Sequence, residues 1–240
     1  MVTYQLGLGP ELDWLIDDTE EALLGTSTHQ YTIVNLHNDA VSYREVAGLP
    51  WFVGNQLKLI IPRQGGRPPY YPSPDVMIHP TLGDVALSSL SVARHGPPAL
   101  VIEVASPTHP LGRCPAAYEH DLDTVDPEAK PLAYAQGGIP EYLVFDPTGN
   151  IIPERVRAWR GDQRGYEPWL PDPTTGRWHS ALGISFMPQS VLLRIYAPDG
   201  TIVPTRGEAQ ALLRARTQQL EAQARELAAL RAELGRLRGE

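Results

Sequence analysis

The 240-residue chain has a single cysteine, Cys114, so no intrachain disulfide can form. A lone thiol suits a reducing compartment, and no nucleophile motif surrounds this one, which leaves it a structural role. Long hydrophobic runs are missing too: nothing in the chain approaches the roughly 18 apolar residues of a membrane span. The N-terminus, Met1-Val2-Thr3-Tyr4-Gln5, lacks the basic-then-apolar pattern of an export signal. Basic charge is scarce, with 20 Lys and Arg against 28 Asp and Glu, a net charge of −8. That balance argues against broad, nonspecific nucleic-acid binding. It leaves room for a catalytic groove that is locally basic or that meets phosphates through metal ions. No serine has a nucleophile-elbow setting and no Gly-rich phosphate loop occurs. These absences together lead to the expectation of a cytoplasmic protein with no membrane partner.

What is present divides into three stretches. A hydrophobic content of 42% is enough for one substantial core with an appendage. Residues 1–50 read as helical, with an amphipathic segment opening at Glu11-Leu12-Asp13-Trp14-Leu15-Ile16 and ending before Gly25. Ser27 or Thr28 then suits the cap of a second helix, with Tyr31, Val34, Leu36 and Val41 as its apolar stripe, until Gly48-Leu49-Pro50 breaks the chain. Residues 51–205 hold most of the 24 prolines and alternate strand signals with turns. Strands are expected at Gln56–Ile61, Val76–Ile78, Ala99–Val104 and Glu141–Asp146, and hairpin-like segments at Val156–Trp159, Tyr166–Leu170 and Leu192–Tyr196. Pro107 to Pro127 reads as a long surface loop, and Pro131 to Gln136 as a short helix ended by Gly137-Gly138. Strand, helix and strand in that order imply a parallel pair with a right-handed crossover. From residue 207 the prolines vanish. Leu213, Leu220, Leu227 and Leu234 fall seven apart, and Leu230 and Leu237 add a second seam position, the pattern of a coiled coil.

Two carboxylates stand where strands should be buried. Asp75 follows Pro74 and precedes Val76-Met77-Ile78, and Glu103 ends the apolar run Ala99-Leu100-Val101-Ile102. A charge in such a setting is costly unless a cation compensates it. Neighbouring strands can aim both carboxylates at one spot, a site suited to Mg2+ (or Mn2+), which takes one or two carboxylates with water and phosphate oxygens. The backbone carbonyl of Val104 is a natural further ligand. Lys130, at the start of the short helix, is the candidate to orient a water or to stabilise charge on a phosphorane-like transition state. The same residues also suit a turn cap at Asp75, a structural ion pair at Glu103 and a solvated Lys130, and the pattern alone leaves both sets of roles open.

The run Pro74-Asp75, then Val101-Ile102-Glu103-Val104-Ala105-Ser106-Pro107-Thr108, then Lys130, Tyr134 and Ile139-Pro140-Glu141-Tyr142-Leu143-Val144-Phe145-Asp146-Pro147, resembles the Uma-two family of restriction endonucleases, part of the PD-(D/E)XK nuclease superfamily. The resemblance covers roughly residues 25–160. It implies that Asp75 and Glu103 are the metal carboxylates and Lys130 the catalytic lysine. The superfamily places a lysine two residues after the acid, where this chain has Ala105, so Lys130 stands as a migrated lysine. Glu45 is a counterpart for the acidic residue often found in the first core helix, and His29-Gln30 resembles a pair common in the family's early helix.

Other residues carry less. Arg63, Arg67, Arg94 and Arg113 fall in loops around the proposed site, where they can meet phosphates or face solvent. His109, His120, Asp121 and Asp123 lack zinc-motif spacing, and Trp159, Trp169 and Trp178 read as core or sheet face. The expected fold is α/β: a restriction-endonuclease-like domain over residues 1–206, with a mixed central sheet flanked by helices, a core at about 25–160 and a hairpin extension at 151–205. A coiled-coil helix follows over 207–240. The expected function is Mg2+-dependent hydrolysis of phosphodiester bonds in DNA by a homo-oligomer joined through that helix. The alternative is a nuclease-fold binding or assembly protein without turnover.

Overall fold

The computed structural model describes residues 21–63, 68–105, 130–162 and 164–238. The loop from Pro107 to Pro127, with Cys114, Arg113, His109, His120, Asp121 and Asp123, lies outside them, as do Arg67 and the helix expected to open at Glu11. Contacts divide the chain into two units, residues 1–203 and 204–240.

The first unit is built on a six-stranded mixed sheet in the order β1-β3-β5-β6-β7-β8. Its strands are β1 (Phe52–Asn55), β3 (Val76–His79), β5 (Leu100–Val104), β6 (Glu141–Phe145), β7 (Val156–Asp162) and β8 (Gly165–Pro168). Within this sheet only β5 and β6 pair in parallel, and the short helix Lys130–Gln136 lies between them in sequence. The other neighbours are antiparallel, and of these β6–β7 and β7–β8 join consecutive strands. The strands at the centre read as near-continuous apolar runs because both faces are covered. A second, three-stranded sheet joins β9 (Trp178–His179), β10 (Ser185–Gln189) and β11 (Leu192–Tyr196), and β2 (Lys58–Ile60) pairs in parallel with β4 (Ser89–Ser91). The short helix α2 (Val92–His95) follows β4 and carries Arg94, which is exposed on the helix and not in a loop.

Helix α1 (Glu21–Ala47) corrects the expectation of two helices. Gly25 does not break it: an interior glycine costs a helix about 1 kcal/mol, which packing offsets. The stop comes at Gly48, whose φ of 64° is the left-handed conformation that ends helices. The buried stripe also differs from the expected one. Ile33, Leu36 and Ala40 face the sheet, whereas Val34 is 44% exposed. These side chains pack with Val53, Val76, Ile78, Leu100, Ile102, Leu143 and Phe145 into a core on one face of the sheet. On the opposite face Met77, Val101, Tyr134, Ile139, Tyr142, Val144 and Trp159 form a second core.

The strand expected from Gln56 begins only at Lys58, because Gln56 takes a positive φ of 47° and turns the chain between β1 and β2. The three tryptophans Trp159, Trp169 and Trp178 are buried. The second unit is one helix, Arg206–Arg238. It starts at a capping box: Thr205 Oγ1 accepts the Glu208 N–H, and Glu208 Oε2 accepts the Thr205 N–H. Among the described residues no helix is long and apolar enough to cross a membrane.

Candidate active site

The antiparallel register pairs Val76 of β3 with Ile102 of β5, and continuing it by one step sets Asp75, just before β3, beside Glu103. Strand residues alternate between faces, so Asp75 shares the face of Met77 and Glu103 that of Val101. Both carboxylates therefore lie on the sheet face covered by the helix Lys130–Gln136. Asp75 Oδ2 accepts the Val104 N–H at 2.8 Å, which ties the start of β3 to the end of β5. The Val104 amide is thus engaged at the site.

The short helix supplies the remaining groups. Lys130 is its first residue, followed by Pro131 in the first turn, where the missing N–H costs nothing. Residues four apart in a helix share a face, so Lys130 and Tyr134 reach the same target. Lys130 Nζ donates to Glu103 Oε1 at 2.9 Å and Tyr134 Oη donates to the same oxygen at 2.6 Å. The lysine begins the helix, yet its stem brings the ammonium back to the strand end. Lysine is rare in this chain: of 20 basic residues only Lys58 and Lys130 are lysines.

His29 completes the cluster from the other side of the strand end. It lies one turn before Ile33 on the stripe that continues through Leu36 and Ala40, and its Nε2 stands 3.6 Å from Asp75 Oδ2. Glu45 does not join them. It is exposed near the far end of α1, 4.0 Å from Arg44, and 16 residues of helix separate it from His29, about 24 Å at 1.5 Å per residue.

Burial is the largest influence on Glu103 and pushes its pKa above the usual carboxylate range. The Lys130 charge and the Tyr134 hydrogen bond pull it back, while the Asp75 charge pushes it further up. Tyr134, buried beside that carboxylate, has its phenol held protonated far above neutrality. It is a fixed hydrogen-bond donor. Its ring packs at 5.1 Å on Tyr142, which stacks on Trp159 at 5.3 Å, so an aromatic row anchors the donor to the sheet.

The residues from 15 to 185 match the Uma2 family, described as "Putative restriction endonuclease". The chain belongs to the Uma2 family. The matched span includes all of α1 and the strands through β9, and with them His29, Asp75, Glu103, Lys130 and Tyr134. Family membership places this Uma2 chain among PD-(D/E)XK-related proteins. A crystal structure from Anabaena variabilis, titled a putative nuclease, is similar at 14% identity and a TM-score of 0.39, over 62% of this chain and 74% of that one. No curated protein matches this Uma2 chain.

As a donor set for a metal, the site offers two carboxylates facing each other across β3 and β5. Among the described residues no group of three or more His, Cys, Asp or Glu gathers in a way that would hold an ion. Two carboxylates suit Mg2+, which keeps much of its water. The Asp75 charge pushes the Glu103 pKa up and the Lys130 charge pulls it down, so a cation beside the two carboxylates favours their charged forms.

Proposed function

We propose that this Uma2 protein is a Mg2+-dependent endonuclease that hydrolyses phosphodiester bonds in DNA, with Asp75 and Glu103 as the metal carboxylates and Lys130 as the catalytic lysine. The observation that carries the reading is the meeting of a buried, destabilised carboxylate, Glu103, with the Lys130 ammonium, the Tyr134 hydroxyl and the Asp75 carboxylate at one strand end. Perturbed carboxylates with a specific charge partner are common at catalytic sites. The family match supports the same chemistry.

Hydrolysis adds one water across a P–O bond and leaves one phosphate monoester end and one hydroxyl end. Mg2+ bound by Asp75 and Glu103 would polarise the phosphate and lower the pKa of the attacking water. Lys130 then places a fixed positive charge beside the oxygens that become more negative in the transition state. Tyr134 holds Glu103 in one orientation through its 2.6 Å bond. His29, on α1, lies 3.6 Å from Asp75 Oδ2.

The test is cleavage of supercoiled plasmid and single-stranded DNA by the purified protein with Mg2+, Mn2+ or EDTA, beside Asp75→Ala and Glu103→Ala. Cleavage with either metal, none in EDTA and none by either variant is the expected result. Cleavage that survives both substitutions contradicts the site. The second reading, a nuclease-fold binding protein without turnover, draws on Ala105 in place of the superfamily lysine. It predicts no cleavage with any metal by a folded, oligomeric protein.

A further inference from the structure

The helix Arg206–Arg238 carries a seam of six leucines, Leu213, Leu220, Leu227, Leu230, Leu234 and Leu237, every one between 50 and 78% exposed. Leucines seven apart drift slowly around a straight helix, so they form one narrow stripe along its length. Taking Leu213, Leu220, Leu227 and Leu234 as the a positions puts Leu230 and Leu237 at d. The flanking charges then sort by sign: Glu226 and Glu233 fall at g, and Arg231 and Arg238 at e. All four are exposed.

That sorting chooses both the occupant and its direction. In a parallel coil of two copies in register, each g residue faces the e residue five positions on in the other chain. Glu226 would meet Arg231 of the partner subunit, and Glu233 would meet Arg238 of the partner subunit. Both contacts occur twice by symmetry, giving four attractive pairs. In an antiparallel coil g faces g and e faces e, so an antiparallel overlap of the two leucine-rich last heptads sets glutamate against glutamate and arginine against arginine. We propose that this helix is a parallel, in-register homodimerisation coil whose direction is set by Glu226, Glu233, Arg231 and Arg238.

The first half of the seam is weaker. Arg216 and Gln223 occupy d positions there, and Arg216 instead bonds Gln219 of its own chain. Two strands leave the edges of such positions open to water, so a long side chain can extend outward at a cost in stability. The strong part of the seam is therefore its last two heptads, where the ordered charges also lie. A parallel coil brings both Arg206 ends together, so both copies of the first unit issue from one end of the coil. On the nuclease reading this tethers two carboxylate sites to one duplex. The coil itself does not depend on that reading, because mass and crosslinking report it without turnover.

The test uses the full chain and three sets of substitutions at exposed positions of this helix, the third made in a Cys114→Ser background. Sedimentation or light scattering should give a dimer for the native sequence. Glu226→Arg with Glu233→Arg should weaken self-association by roughly tenfold or more, since four attractive pairs become repulsive. Adding Arg231→Glu and Arg238→Glu to that variant should restore the dimer, because every pair is attractive again with its signs reversed. Direction is read from Leu237→Cys in a Cys114→Ser background with oxidised glutathione. A parallel coil gives a disulfide-linked dimer, and Cys114→Ser alone gives none. A monomer at tens of micromolar, a larger assembly, failure of the fourfold reversal to restore the dimer, or a dimer that Leu237→Cys does not crosslink would each overturn the proposal.

Discussion

At Glu103 two demands compete. Burial raises its pKa, so the folded state holds the proton more tightly than the unfolded chain does. The sign follows from linkage: stability falls as pH rises through the ordinary carboxylate range toward the raised folded value, and the deficit persists above it. Glu103→Gln keeps an acceptor for Tyr134 and Lys130 but has no charge to bury. The metal-free variant should therefore unfold at a higher temperature than the native protein at pH 7.5, and the gap should close below about pH 4, near the carboxylate's unperturbed value. A lower midpoint for the variant at pH 7.5 would show that the Lys130 pair outweighs the burial. His79 behaves in the opposite way. Burial lowers its pKa, its Nε2 lies 3.0 Å from the His95 carbonyl and its Nδ1 accepts the Thr81 N–H, so it folds as the neutral ring. The unfolded chain takes up that proton first as the pH drops, and stability is lost below about pH 6.5. His79→Gln should flatten the decline in denaturation midpoint between pH 7 and pH 5.5; an unchanged slope would assign the decline to other groups.

At the scale of elements, the site depends on a short helix held at both ends. Its C-terminus closes through the Gly137, Gly138 and Ile139 amides, which bond the carbonyls of Ala133, Ala135 and Tyr134. Gly138 takes a φ of 74°, where a side chain is strained. Gly138→Ala should cost about 1 kcal/mol in denaturant unfolding. Because Lys130 and Tyr134 ride on this helix, the variant should also lose activity, and full activity with lowered stability would separate the helix end from the site. The elements that could be read in the sequence were those with a continuous signal. Val76–Ile78, the run to Val104 and Glu141–Phe145 are apolar because both sheet faces are covered, and a carboxylate inside such a run stands out. The missed elements have signals that short-range pattern hides. Strand β1 contains Gly54, accepted because a side chain there would press on Phe52 and Met77 at 3.0 to 3.1 Å. Strand β10 includes Pro188, which reads as a break, and β4 is only Ser-Leu-Ser. The stripe on α1 was misread because tertiary packing selects Ile33, Leu36 and Ala40 from a helix that is weakly amphipathic. The approach of His29 to Asp75 follows from the same buried stripe, one turn before Ile33.

At the scale of the molecule, the proposed endonuclease, an acidic chain of net charge −8, would have to approach a polyanion. Long-range attraction does not favour that encounter, so affinity for DNA must come from local cations, metal ions and the joining of two copies. The metal-ion contribution depends on the carboxylate pair being a cation site and not a structural ion pair. The direct measurement is titration calorimetry of Mn2+ into the native protein, Asp75→Asn and Glu103→Gln at pH 7.5. One site per chain in the native protein, with the heat lost in both variants, is the predicted result. Absence of binding in the native protein, or binding unchanged by both substitutions, would contradict the assignment of Asp75 and Glu103 as the metal carboxylates.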